Sequence, residues 1–238
     1  MPAHDPRIDR FASTNWSLAS RAHGVDDATA HASLLTLCLR YWYPVFAYLR
    51  HGGHDPDESY RLAQAFFHDL LSRHSSHLDA RRFGRFRQFL QVELQHFLSM
   101  DPAVELPRLP LAGPPLQDLE ARHRADSACG RSPEDTLRRG FALEILASAH
   151  RRLRGEAIDG GHGAMFAELE RFLVAEPRPG DYEAAAGTLK VKPLFVSMAV
   201  TRLRQRFREL VDHELGETLA GADELDSERA ALLQVLGG

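Results

Sequence analysis

The side chains in this sequence best equipped for chemistry are arginines. Arg81, Arg82, Arg85 and Arg87 fall close together, and Arg202, Arg204, Arg206 and Arg208 form a second cluster. Guanidinium groups at that density bind phosphate or carboxylate oxygens through paired N–H donors. The 13 histidines are the other candidates. His51/His54 and His74/His77 have the i, i+3 spacing of a metal pair, but HExxH is absent and both pairs fall at helix ends. No Ser or Cys nucleophile motif and no glycine-rich phosphate loop occurs. Cys38 and Cys129 lie outside any C-x-x-C spacing, so neither a zinc finger nor a disulfide framework is indicated. The chemistry indicated is recognition of an anionic partner, with no catalytic residues, no cofactor and no metal.

Those side chains need a scaffold, and the sequence predicts a helical one. At 238 residues the chain can bury a sizeable core, in one domain or two small ones. Period-two alternation of β-branched residues is nearly absent, so the expected fold class is all-α. Acidic residues outnumber basic ones, 33 to 29, for a net charge of −4. Any nucleic-acid contact must therefore come from local basic surface. The opening MPAHDPRIDR lacks the apolar run of a signal peptide. No stretch reaches the roughly 20 apolar residues of a membrane span. A cytoplasmic protein without membrane contact is expected.

Asp26 or Asp27 can cap a helix over about 27–50, which Pro44 should kink or restart. Its Tyr41, Trp42, Tyr43, Phe46 and Tyr48 read as core rings. Asp55, with Pro56 at the first helical position, opens a helix over 56–73. Asp57, Glu58, Arg61, Gln64 and Asp69 lie on its polar side. A helix over 84–100 carries Phe86, Phe89, Leu90, Val92, Leu94, Phe97 and Leu98, just after the first arginine cluster. Prolines 102, 107, 110, 114 and 115, with Gly113, make 101–132 a Pro-rich linker with room for a short helix near Leu116–Arg124. Ser132-Pro-Glu-Asp135 opens a helix over 133–154. Gly155–Gly163 reads as a turn, and Met165–Val174 as a further helix.

The second arginine cluster lies on a helix that starts after Pro193 and runs to about Leu210. Phe195, Val196, Ala199, Leu203 and Leu210 form its apolar face. A short Ala-rich helix, Tyr182 to Thr188, precedes it across a tight turn. This is the pattern of a helix-turn-helix. An ordinary helical hairpin with a solvated basic face is the other reading of the same residues. After Gly216, Glu217, Asp223, Glu224, Asp226 and Glu228 face a single Arg229. This segment should form a short acidic helix with Leu232, Leu233, Val235 and Leu236 as an apolar patch, folding over the basic helix before it.

Taken in order, these segments resemble bacterial RNA polymerase sigma factors of the extracytoplasmic-function group. Phe11, Thr14, Trp16, Ser17 and Leu18 match the Phe-x-x-Thr-x-Trp-Ser-Leu opening of one subgroup, which also carries a short C-terminal extension. Tyr41-Trp-Tyr-Pro44 with Tyr48 matches the aromatic helix of sigma region two. Asp55-Pro-Asp-Glu58 through Leu62, Gln64, Phe66, Phe67 and Leu71 matches the segment that docks on the polymerase clamp helices. Gly84-Arg-Phe-Arg87, Phe89 and Leu90, through His96-Phe-Leu98, match the helix leading into promoter −10 recognition. Arg202 to Arg204 and Arg206 to Leu210 match the end of the region-four helix.

The resemblance, which covers about residues 11–215, implies two helical domains and a transcription-initiation factor. A region-two-like bundle would occupy 1–100, the linker 101–132, a region-four-like helix-turn-helix domain 133–215, and the acidic helix 216–238. Lys190, Lys192, Ser197, Thr201, Arg202, Arg204 and Arg206 would meet the −35 element. Arg85, Arg87, Gln88, Gln91 and Gln95 would face the −10 element. Asp57, Glu58, Arg61 and Gln64 would bind polymerase. The implied partners are core RNA polymerase (clamp helices and flap), promoter DNA, and an anti-sigma protein or kinase as regulator. The sequence departs from the pattern at four places. Asp101-Pro-Ala-Val-Glu-Leu-Pro107 replaces the usual basic continuation. Lys190 stands where the family favours a left-handed glycine. Leu194 and Phe195 open the recognition helix, and Ala65 replaces the acid after Gln64. These departures favour an alternative: a degenerate sigma-like adaptor acting by protein–protein contact without promoter recognition.

Overall fold

A computed structural model of the chain describes residue 16 and residues 27–73, 84–100, 113–126 and 132–236. All regular elements among them are helical, and none of the helices is long and apolar enough to cross a membrane. In chain order the α-helices are α1 (Asp27–Arg40), α2 (Trp42–His51), α3 (Pro56–Arg73), α4 (Phe86–Ser99) and α5 (Leu116–Ala125). They continue with α6 (Pro133–Asp159), α7 (Gly163–Leu169), α8 (Asp181–Leu189), α9 (Pro193–Gly216) and α10 (Leu225–Leu236). Short 3-10 turns follow α7 at Glu170–Leu173 and precede α10 at Ala222–Glu224. The chain forms two compact units, one of Met1–Glu144 with Leu215–Gly238 and the other of Ile145–Glu214.

The helix starts follow from the sequence. Pro44 has no N–H to donate, and its ring would strike the carbonyl four residues back, that of Arg40. The helix accordingly stops at Arg40 and restarts at Trp42, which places Pro44 in a first turn where N–H groups are unpaired anyway. Asp55 caps α3 through its side chain, which accepts from the Glu58 N–H at 2.8 Å. Ser132 caps α6 in the same way, accepting from the Asp135 N–H at 3.1 Å. That helix runs on to Asp159, through Gly155, so the turn expected from Gly155 begins later. Gly161 makes it, with φ of 75°.

Aromatic rings fill the core of the first unit. Trp16, Tyr41, Trp42, Phe46, Phe66, Phe67 and Phe86 are fully buried. Tyr41 stacks on Phe141 at 4.2 Å between ring centroids, and Trp42 leans on Phe67 at 4.9 Å. Trp16 packs against Phe86 and Phe89 at 5.3 and 5.1 Å. Fully burying one such phenylalanine side chain contributes about 1.5–3 kcal/mol, and the larger tryptophan rings withdraw more apolar surface.

The second half of the Pro-rich stretch, α5, is fastened to this unit by ions. Glu120 accepts from Arg50 at 2.6 Å, and Glu144 from Arg122 at 2.7 Å. Asp126 accepts from Arg139 at 2.9 Å and from the Tyr43 hydroxyl at 3.2 Å. The Arg122 guanidinium lies 3.8 Å over the Tyr43 ring. Gly113 makes the approach feasible, because a Cβ there would run into the Trp42 indole. Residues 101–112 and 127–131 of the expected linker lie outside the described residues.

Candidate nucleic-acid interface

The second unit is built round the apolar cluster of Leu169, Phe172, Ala185, Ala186, Val196 and Val200. Ala185 and Ala186 of α8 are buried in it beside Val196 and Val200 of α9. Ala199 and Leu203 are partly buried against the same cluster. Phe195, expected on this face, is 49% exposed, and Val200 takes its place inside. With Val196, Val200 and Leu203 facing inward, residue 195 falls on the outward arc of a 3.6-residue helix.

The turn between α8 and α9 is Lys190 to Lys192. Lys190 adopts the left-handed conformation at φ 55° and ψ 44°. The Val191 N–H returns to the Ala186 carbonyl at 3.0 Å, and the Lys190 N–H to the Gly187 carbonyl at 3.4 Å. These are the two bonds of a Schellman close, which requires a positive φ at Lys190. The lysine itself adopts the left-handed backbone, with the strain that a glycine there would not carry. Pro193 then opens α9 at the first helical position.

Lys190, Lys192, Thr201 and Arg202 are exposed and Ser197 is half-buried. The Thr201 hydroxyl is turned back onto the Ser197 carbonyl at 3.0 Å. Arg204 is committed to backbone: its Nε and Nη2 donate to the carbonyls of Phe172 and Ala175 at 2.8 and 3.0 Å. Arg206 makes a two-pronged pair with Glu156 at 2.7 and 2.8 Å and a third bond to Glu209 at 2.9 Å. Arg206 in turn holds the Glu156 carboxyl below its ordinary range. The exposed face of α9 therefore has two characters. Its first turns present Leu194, Phe195 and Met198, at 72, 49 and 49% exposure. Its later turns present Thr201, Arg202, Gln205 and Arg208.

In the first unit, Arg85 and Arg87 flank the buried Phe86 at the start of α4. Both hold the segment after Gly216. Arg85 donates to Glu224 at 2.6 Å and to the Ser227 hydroxyl at 2.7 Å, and lies 3.2 Å from Glu228. Arg87 takes Glu228 with both prongs, through Nε to Oε1 and through Nη2 to Oε2, the latter at 3.0 Å. Glu228 itself is buried. The acidic helix thus pairs with the arginines at residues 85 and 87, not with the later arginine cluster as expected. Charge alone could not choose between two basic clusters, and the buried partners of the segment decide it. Thr218 and Leu219 are both 1% exposed, and Leu219 forms an isolated antiparallel bridge with Arg85. Farther along α4, Gln88 and Gln95 are exposed and Gln91 is half-buried.

On α3, Asp57, Arg61 and Gln64 recur at i, i+4 and i+7 and so share one face. Asp57 and Arg61 are exposed, and Glu58 lies 3.2 Å from His54 Nδ1. Ala65, the departure in this segment, is buried. Among the described residues no three His, Cys, Asp or Glu side chains converge on a point. His74 and His77 fall outside those residues. Burial pushes the Cys38 thiol far above its ordinary range, which leaves it unreactive.

Sequence reasoning missed Glu224, Ser227, Glu228 and Glu156 as partners of the arginines. Glu224 and Glu228 have helix-neighbour spacing that was readable, whereas their pairing across about 140 residues was not. Neither a scan against protein-family models nor searches of curated proteins and of solved structures finds a match to this chain.

Proposed function

We propose that the chain is a sigma-like initiation factor that carries RNA polymerase to promoter DNA, a non-enzymatic cytoplasmic protein with no cofactor. In this reading the first unit contains the region-two-like bundle together with the Pro-rich stretch, and the second carries the region-four-like helix-turn-helix. The observation that supports it best is the α8–turn–α9 arrangement, closed by a left-handed Lys190 and followed by an outward row of Thr201, Arg202, Gln205 and Arg208. That row suits a major groove, where Arg202 can take a guanine edge with two bonds while Lys190, Lys192 and Arg208 meet phosphates. The Asp57–Arg61–Gln64 face of α3 would grip polymerase. Arg204 and Arg206, already bonded within the unit, would set the helix in place without touching DNA.

A second reading has its own support. Leu194, Phe195 and Met198 offer no hydrogen bond to a base edge, and apolar side chains exposed together mark protein contact. This favours an adaptor that binds polymerase without reading a promoter. A pull-down with core RNA polymerase, followed by transcription from selected templates at stated salt, separates the two. Binding with transcription supports the initiation factor and binding without it supports the adaptor. No binding refutes both.

A further inference from the structure

We propose that residues 222–236 are a releasable strap lying on the phosphate-binding edge of α4, and that a single-stranded or melted nucleic-acid segment displaces it. The proposal rests on the functional reading above and adds regulation to it. The strap's carboxylates occupy the positions phosphate oxygens would take: Arg87 makes to Glu228 the two-pronged bond a guanidinium makes to phosphate. Arg85 spans Glu224, Ser227 and Glu228. Gly84 leaves room for this, since a Cβ there would run into the Glu224 carboxylate.

The attachment changes character at Gly221. Before it the chain is built into the unit by backbone bonds. The Phe86 N–H donates to the Thr218 carbonyl at 2.9 Å, Ala220 to Gly84 at 2.9 Å, and Trp16 to Glu217 at 3.0 Å. After it Arg85 and Arg87 hold Glu224, Ser227 and Glu228 through side-chain bonds, and Leu232 is buried. A Cβ at Gly221 would meet nothing within 4 Å, so the joint is unobstructed. The strap also borders an open cleft of about 470 Å³, lined among others by Arg87, Arg138, Phe141, Leu215, Glu228 and Leu232. The Arg85–Glu224 pair, with Glu224 partly exposed, is the one that salt and polyanions compete for first, while the buried Glu228 pair yields only to a ligand that takes its place on Arg87. Arg138, paired outward with Asp135 at 3.3 Å, would be a third cation for the incoming phosphates.

The probe is a fluorescein-labelled fork-junction DNA with a single-stranded arm, read by anisotropy over a salt series with the full chain. Glu224→Gln/Glu228→Gln should tighten binding by about tenfold, because apparent affinity scales with the open fraction. Freeing two arginines should steepen the log–log salt slope by about 1.4, at about 0.7 per single-strand contact. Ser227→Asp adds a carboxylate beside Arg85 and should weaken binding. Equal affinities for all three proteins overturn the proposal. If the double variant fails to fold, hydrogen exchange in the native chain decides. Adding the DNA should speed exchange at 222–236, and unchanged exchange there overturns the strap. Core polymerase retained by every variant alongside equal DNA affinities sinks the strap alone. Loss of polymerase binding by the native chain sinks the functional reading, whereas displacement of 222–236 by DNA would still support a nucleic-acid site.

Discussion

Replacing Lys190 separates backbone strain from charge in the α8–α9 turn. At φ 55° a residue with a Cβ crowds the following carbonyl, at a cost of about 1–2 kcal/mol. Lys190→Gly removes that cost but adds about 0.5–1 kcal/mol of freedom to the unfolded chain. The two Schellman bonds are backbone bonds and survive the change. The expected net gain is about 0.5–1 kcal/mol, or about 1–4 °C in melting temperature for a chain of this size. Lys190→Ala keeps the Cβ and the strain but loses the exposed charge, so its stability should lie within about 0.5 kcal/mol of the native protein. Urea unfolding, followed together with hydrogen exchange in α8 and α9, reads the difference. Under the proposed function duplex binding should not distinguish the variants, since both would lose one phosphate contact and about 0.9 of salt slope. If glycine and alanine destabilise the turn alike, the lysine stem stabilises it and the strain reasoning is wrong.

Burial, aided by Arg50, holds His123 below its ordinary pKa of 6.5. Stability from its neutral form is complete above 6.5 and is lost as pH falls toward the lowered value, so His123→Gln should flatten that part of a melting-temperature-against-pH curve. Arg206 depresses Glu156, so the contribution of that pair is complete above 4.5 and fades as pH falls through the depressed value. Glu156→Gln should flatten the acid limb alone, by little, since both side chains are partly exposed. Phe141, 4% exposed and stacked on Tyr41, should cost about 3–5 kcal/mol when changed to alanine, read as a lower urea midpoint. In a Cys129→Ala background, the remaining Cys38 thiol should react with a disulfide reagent only at the rate of unfolding; fast labelling of the folded protein would contradict its burial.

Much of the helical layout was legible because its signals are local. Asp55-Pro56 and Ser132-Pro133 announce caps that side-chain bonds then make. Pro44 announces a break, which falls at Tyr41 because the proline ring acts on the carbonyl four residues earlier. Gly155 misled, since a glycine inside a long, otherwise favourable helix costs only about 1 kcal/mol. Phe195 misled because a three- and four-residue pattern admits neighbouring phases, and only packing against Phe172 and Ala185 selects Val200. The candidate site was less legible. Types and spacings identified the arginines but not their partners. Arg204 is taken by two carbonyls, Arg206 by Glu156, and Arg85 and Arg87 by a segment distant in sequence. Long-range pairing leaves no trace in one sequence, because any acid of suitable reach could satisfy any guanidinium.

The most direct test of an initiation role is run-off transcription by purified core polymerase on a pool of random upstream sequences, with the native chain and with Arg202→Ala. The expected outcome is enrichment of templates sharing an upstream element, with preference at one or two base pairs of it relaxed in the variant by about 1–3 kcal/mol. Transcripts that show no shared element, or the same element with undiminished preference in Arg202→Ala, would contradict it.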